Sequence, residues 1–354
     1  MKLFTVGPVE MYPGTLKTAS EQLPYFRTPE FSQLMFENER MFKASIGAHK
    51  NSKTVFLTAS GSGAMEAAVI NCFDSKDKVL VINGGSFGRR FADICAIHKI
   101  PYDELKLEFG EVLTEQRLDA YDGSVYTGLL VNLHETSTGQ LYDIKVISDY
   151  CQKNNIYLVV DAISAYLADE IDFDNDGIDA LIVSSQKALA LSPGLSIVEV
   201  SERMYRDKVM GIEPATLYFD FKDHIKNMER GQTPFTPAVG ILLELHERLT
   251  TIEKQGIEDV QRAQAELAQR FRKGLKELGF HTPEYPLSNA LTPVLLEPNA
   301  KEIYEQLKEK YDIIVTPSGG VLEKVIIRVG HLGNVKWEDY EVLLDAMKCI
   351  RENL

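Results

Sequence analysis

The chain's hydrophobic patterning predicts an α/β fold, a doubly wound and mostly parallel sheet with flanking helices, followed by a smaller α+β unit. Short β-rich runs alternate with longer amphipathic segments through the first two thirds, the signature of βαβ units. From Pro237 the texture changes to two long helical patterns. At 354 residues the chain also exceeds the usual size of one core, so a large domain with a smaller companion is expected.

The elements follow in order. TVFLT at 54 is a strand and a helix starts near Ser62; KVLVI at 78 is the next strand, with a helix from about Phe87. GLLVNLH at 128, a helix over Ile144–Gln152, IYLVVDA at 156 and ALIVSS at 180 continue the alternation, and GLSIVEVS at 194 adds a strand at the edge or antiparallel. The helical patterns PAVGILLELHERLTTIEKQG and IEDVQRAQAELAQRFRKGLKELGF meet at Gly256, which sets the expected domains at 1–256 and 257–354. TPVLLEP, a helix near Lys301–Tyr311, KVIIRVG and a closing helix over Lys336–Glu352 make up the smaller unit.

Composition narrows the function. Hydrophobic residues at 44% and charged residues at 25% describe an ordinary folded chain, neither disordered nor fibrous. A net charge of −14 would repel a phosphate backbone or an anionic bilayer, so neither nucleic acid nor a membrane is an expected partner. Cys72, Cys95, Cys151 and Cys349 lack paired spacing and read as buried thiols of a reducing cytoplasm. MKLFTVGPVEMYPG is broken too early by Gly7-Pro8 for a signal peptide. Asp172–Gly177 imitates the start of a calcium loop, but Val183 stands at the twelfth place and a strand follows, so no metal is expected.

Ligands of open parallel sheets sit at the C-terminal strand ends, and four of these ends carry chemistry. Ala59-Ser60-Gly61-Ser62-Gly63-Ala64 aims small residues and a helix start at a phosphate, although the dinucleotide fingerprint and the P-loop are both absent. Glu135-Thr136-Ser137-Thr138-Gly139 clusters hydroxyls. Asp161 lies behind an apolar run and needs a cationic partner. Lys187 is the one charge in ALIVSSQKALALSPG, where poor hydration would favour its neutral amine. A phosphate cradle, hydroxyls, an aspartate and such a lysine together describe a pyridoxal phosphate pocket.

In VGPVEM, ASGSGAMEA, NGGSFGRRF, HETSTG, VVDAIS, SSQKAL, TPFTPAVG and IIRVGHLG, with aspartate and lysine 26 positions apart, the sequence resembles the class V pyridoxal phosphate enzymes of aspartate-aminotransferase-like fold. The alanine/serine–glyoxylate aminotransferases and 2-aminoethylphosphonate–pyruvate transaminases are the nearest branches. The resemblance implies that Lys187 bears the cofactor and shuttles the proton between Cα and C4′, while Asp161 pairs with the ring nitrogen. It places Ser60, Gly61 and Ser62 at the phosphate, Phe87 on the ring face, and Thr138 or its neighbours near the phenolic oxygen. Gln186 adds a phosphate contact, Thr236 reaches the phosphate of a partner subunit in a homodimer, and Arg328 grips the substrate's acid group.

The implied reaction moves an amino group from a small anionic donor of alanine or serine type to a 2-oxo acid such as glyoxylate or pyruvate. The aminophosphonate reaction is the alternative, and a lyase or desulfurase ranks below it. Desulfurases carry histidine where Gln186 stands, and related enzymes commonly have histidine at Phe26. A nucleotide-binding dehydrogenase lacks its glycine fingerprint, and a cofactor sensor lacks a basic output segment.

Overall fold

A computed structural model describes residues 1–352. Its strands are β1 (Lys2–Phe4), β2 (Lys53–Leu57), β3 (Val79–Asn83), β4 (Tyr102–Lys106), β5 (Gly128–Asn132), the short hairpin β6 (His134–Glu135) and β7 (Gln140–Leu141), β8 (Tyr157–Asp161), β9 (Ala180–Ser184), β10 (Ser196–Val200), β11 (Leu291–Leu295), β12 (Ile313–Pro317) and β13 (Ile326–Gly330). Seven of them form the main sheet in the order β2-β10-β9-β8-β5-β3-β4.

All neighbours in this sheet are parallel except β10, which runs antiparallel to both β9 and β2. GLSIVEVS is therefore the antiparallel strand, and it lies inside the sheet; the edges are β2 and β4. The inner strands are near-continuous apolar runs because both faces are covered. Within β3, Val79 and Val81 face one core while Leu80 and Ile82 face the other, as the two-residue period of a strand requires. Burying one such side chain contributes roughly 1.5–3 kcal/mol.

The second sheet has the order β1-β12-β13-β11. Its own core joins Phe4, Val294, Val315 and Val329 to Phe271 and Leu275 of the helix Ile257–Glu277. The expected boundary at Gly256 falls between that helix and the helix Val239–Gln255. Residues 2–4, grouped with the large domain by sequence, pair instead in parallel with Ile313–Val315. Cys72, Cys95 and Cys151 are buried, whereas Cys349 is exposed, contrary to expectation, on the closing helix Trp337–Arg351. Among the described residues no helix is long and apolar enough to cross a membrane.

Strand order decides where chemistry can gather. Because β9, β8, β5 and β3 are successive neighbours, their C-terminal ends bring Lys187, Asp161, the 134–139 turn and the start of the helix Ser86–Ile97 to one rim.

Candidate active site

Lys187 follows β9 by three residues and is buried. Its ammonium makes no hydrogen bond or ion pair among the described residues. Burial pushes its pKa down to about 8; Asp161 opposes the shift, and Arg328 and Arg90 add to it. Asp161 closes β8. Burial raises its carboxyl to about 7, against the Ile163 N–H, which donates to Oδ1 at 2.8 Å, and the charge of Lys187.

The N-terminal segment closes over the lysine. A Cβ at Gly7 would stand 2.7 Å from Lys187 Cδ, and Gly7 has φ +131°, so glycine is required there by both space and backbone. Val6 N–H donates to Thr316 Oγ1 at 3.1 Å, which ties the same segment to β12.

Ser60 caps the helix Gly61–Cys72, its Oγ accepting from Gly63 N–H at 3.4 Å. The N–H groups of Gly61 and Ser62 have no partner within the helix, an orientation suited to an anion. Ser62 Oγ accepts from Arg90 Nη1 at 2.7 Å, and the Arg90 guanidinium lies 4.8 Å from the Phe87 ring centroid. Arg90 thus links the helix start to the aromatic ring.

Phe87 is placed by a buried acid. Glu135, fully buried, accepts from Gly88 N–H at 3.1 Å and Phe87 N–H at 3.5 Å, neutralising the N-terminus of the helix Ser86–Ile97. It also accepts from Asn132 Nδ2 and Ser137 N–H at 3.0 and 3.1 Å. Thr138 is buried beside it, but its hydroxyl serves its own turn, donating to Glu135 O and accepting from Gln140 N–H. Gln186 Oε1 accepts from Ser184 Oγ at 2.7 Å.

Arg328, on β13, ties the second sheet to the turn between β6 and β7. Nη1 donates to Thr136 O at 2.9 Å and Nη2 to Pro317 O at 2.7 Å, while Nε is buried without a partner among the described residues. Burial lowers its pKa to about 10, with Glu135 opposing. Thr236 stands apart: it is exposed, in the loop before the helix Val239–Gln255. His134 is fully buried, its pKa pushed down to about 3 by burial, and its Nε2 has no partner among the described residues. A cavity of about 740 Å³ opens beside Ser137 and Thr138, with Gly319–Leu322 as its far wall.

These residues suit pyridoxal phosphate. A buried carboxyl short of a cation, an unpaired lysine, open N–H groups at a helix start and an orphaned imidazole nitrogen are the complements of a ring nitrogen, an aldehyde, a phosphate and a ring substituent. Four positions escaped the sequence reading as site residues: Gly7, Arg90, His134 and Glu135. VGPVEM, NGGSFGRRF and HETSTG held them, but their roles depend on packing between elements.

The model of the class-V aminotransferase family matches residues 24–319. The chain is 30% identical over 343 residues to an uncharacterized aminotransferase of Methanocaldococcus jannaschii, covering 94% of this chain and 87% of that protein. It is 28% identical to the L-aspartate–glyoxylate aminotransferase of Paracoccus denitrificans, over 94% of this chain and 86% of the relative. The crystal structure of an alanine–glyoxylate aminotransferase from Nostoc superposes with a TM-score of 0.92 at 25% identity, covering 99% of this chain and 94% of that one. Family match, fold and the chemistry of the rim agree: the chain belongs to the class-V aminotransferases and is a pyridoxal-phosphate-dependent transaminase.

Proposed function

We propose that the enzyme transfers an amino group from a small donor bearing a carboxylate, of alanine or serine type, to a 2-oxo acid such as glyoxylate or pyruvate. The observation that carries this reading is Arg328. Two of its nitrogens are held by backbone carbonyls, while the buried Nε is a donor with no acceptor among the described residues. A buried donor without an acceptor is costly, and a substrate carboxylate accepting from Nε and from the outer nitrogen beside it would satisfy it.

Bound pyridoxal phosphate supplies an electron-withdrawing ring that acidifies the donor's Cα–H. The chain supplies the rest. Asp161 provides a carboxylate to keep the ring nitrogen protonated, and Gly61 and Ser62 offer N–H groups to the phosphate, with Ser60 ordering their turn. Phe87, its helix fixed by Glu135, would cover one face of the bound ring. Lys187 has an amine that loses its proton near neutrality, so it can take the proton from Cα and return it on the far side of the transfer. Gln186, Thr138 and its neighbours line the same rim.

A homodimer completes the proposal. Thr236 is exposed on its own chain, and Leu217 and Tyr25 are 79% and 69% exposed, a pattern suited to a face covered by a second copy. The buried free thiols Cys72, Cys95 and Cys151 fit a reducing cytoplasm.

The test offers the holoenzyme alanine, serine and 2-aminoethylphosphonate separately and follows conversion of the cofactor to its amine form. Alanine or serine should convert it, and Arg328→Lys should weaken them by about 1–3 kcal/mol because the fork geometry is lost. Fast conversion by the aminophosphonate alone would replace the carboxylate donor with a phosphonate one.

A further inference from the structure

Between the helices Val239–Gln255 and Ile257–Glu277 lies a cavity of about 340 Å³ that none of the roles above uses. Its walls are mixed, with Gln255, Gln264 and His331 on one hand and an apolar portion of Leu167, Ala188, Val260 and Leu267 on the other. Arg248 also lines it and is only 5% exposed. No hydrogen bond or ion pair to its guanidinium exists among the described residues, and Nε is buried without a partner. The Tyr12 ring lies 4.0 Å from Cζ.

The neighbouring polar groups are engaged elsewhere. Glu244, one turn earlier, accepts from Ser192 N–H and Oγ; Glu247 accepts from Thr15; and the Gln264 amide donates to Asn289 O and His331 O. A buried guanidinium of this kind calls for a counter-anion.

We propose that this cavity binds a small aliphatic carboxylate, its oxygens on Arg248 and its alkyl body against Leu167, Ala188, Val260 and Leu267. The volume is about ten times that of a water molecule, enough for a few heavy atoms. An inorganic anion would leave Leu167, Ala188, Val260 and Leu267 facing water, whereas an alkyl carboxylate also gains from covering them. The site is coupled to the catalytic lysine by the chain itself. Ala188 directly follows Lys187, and Tyr12 belongs to the N-terminal segment whose Gly7 rests on the lysine stem.

The test uses isobutyrate, which has neither an amino nor a keto group, titrated calorimetrically into Arg328→Lys holoenzyme so that the substrate anchor is weakened. One equivalent per chain should bind, and adding Arg248→Met should weaken it about tenfold or more. Ala263→Phe, at an exposed position of the cavity mouth, should do the same with Arg248 intact, which keeps the test valid if Arg248→Met fails to fold. Unchanged affinity in a folded variant, no saturable binding up to roughly 10 mM, or phosphate binding as tightly as isobutyrate would overturn the proposal.

Discussion

Lys187 owes its depressed pKa to burial, and part of that burial comes from a glycine 180 positions earlier in the chain. Gly7→Ala would set a methyl group against the lysine stem and force an L side chain into a positive-φ backbone. We expect the variant to fold with a loss of roughly 1–3 kcal/mol and to bind the cofactor more weakly at equal concentration, read from thermal melts and the visible absorbance of bound pyridoxal phosphate. Wild-type cofactor affinity would mean that the N-terminal segment does not position Lys187. Lys187 and Asp161 were legible in sequence because each is a charge beside an apolar strand. Arg90 and Glu135 were not: an arginine on an amphipathic helix and an acid among hydroxyls look like surface residues until packing places one on a ring and the other at a helix start.

At the scale of elements, apolar runs revealed the strands buried on both faces. β4, YDELK, escaped because an edge strand keeps polar side chains, and β1 escaped because three residues carry no period. The internal position of β10 has an electrostatic consequence. Glu199 on this strand is fully buried, accepts from Thr54 Oγ1 at 2.6 Å and lies 3.9 Å from Lys43 Nζ. Burial raises its pKa to about 7, with Lys43 and the Ser52 and Thr54 hydroxyls opposing. The folded protein therefore holds this proton more tightly than the unfolded chain. Its contribution to stability is complete below the ordinary glutamate range and is lost as pH rises through about 7. Glu199→Gln should remove that loss, so the variant's stability relative to wild type should rise by roughly 1–3 kcal/mol between pH 5 and pH 8. A difference that stays flat across this window would show that Glu199 does not titrate there.

At the scale of the whole molecule, the alternation of strands and helices along the chain announces the large, mostly parallel sheet, while the joining of residues 2–4 to the C-terminal sheet is a long-range pairing that no local pattern encodes. The two-domain division near Gly256 is proposed on the separate core of that second sheet. If sites are shared across a homodimer, mixing inactive Lys187→Ala chains with inactive Thr236→Ala chains should restore part of the activity, since some mixed dimers carry one intact site. Absence of recovery in demonstrably mixed dimers would assign Thr236 to a structural role. The account rests most heavily on amino transfer through Lys187, and a single-turnover experiment tests it directly. With alanine or serine and no acceptor, wild-type holoenzyme should convert its pyridoxal phosphate to pyridoxamine phosphate, release one equivalent of 2-oxo acid per site and stop, while Lys187→Ala should convert at least about a hundredfold more slowly. Conversion by Lys187→Ala at the wild-type rate, or continued product release with the cofactor unchanged, would contradict it.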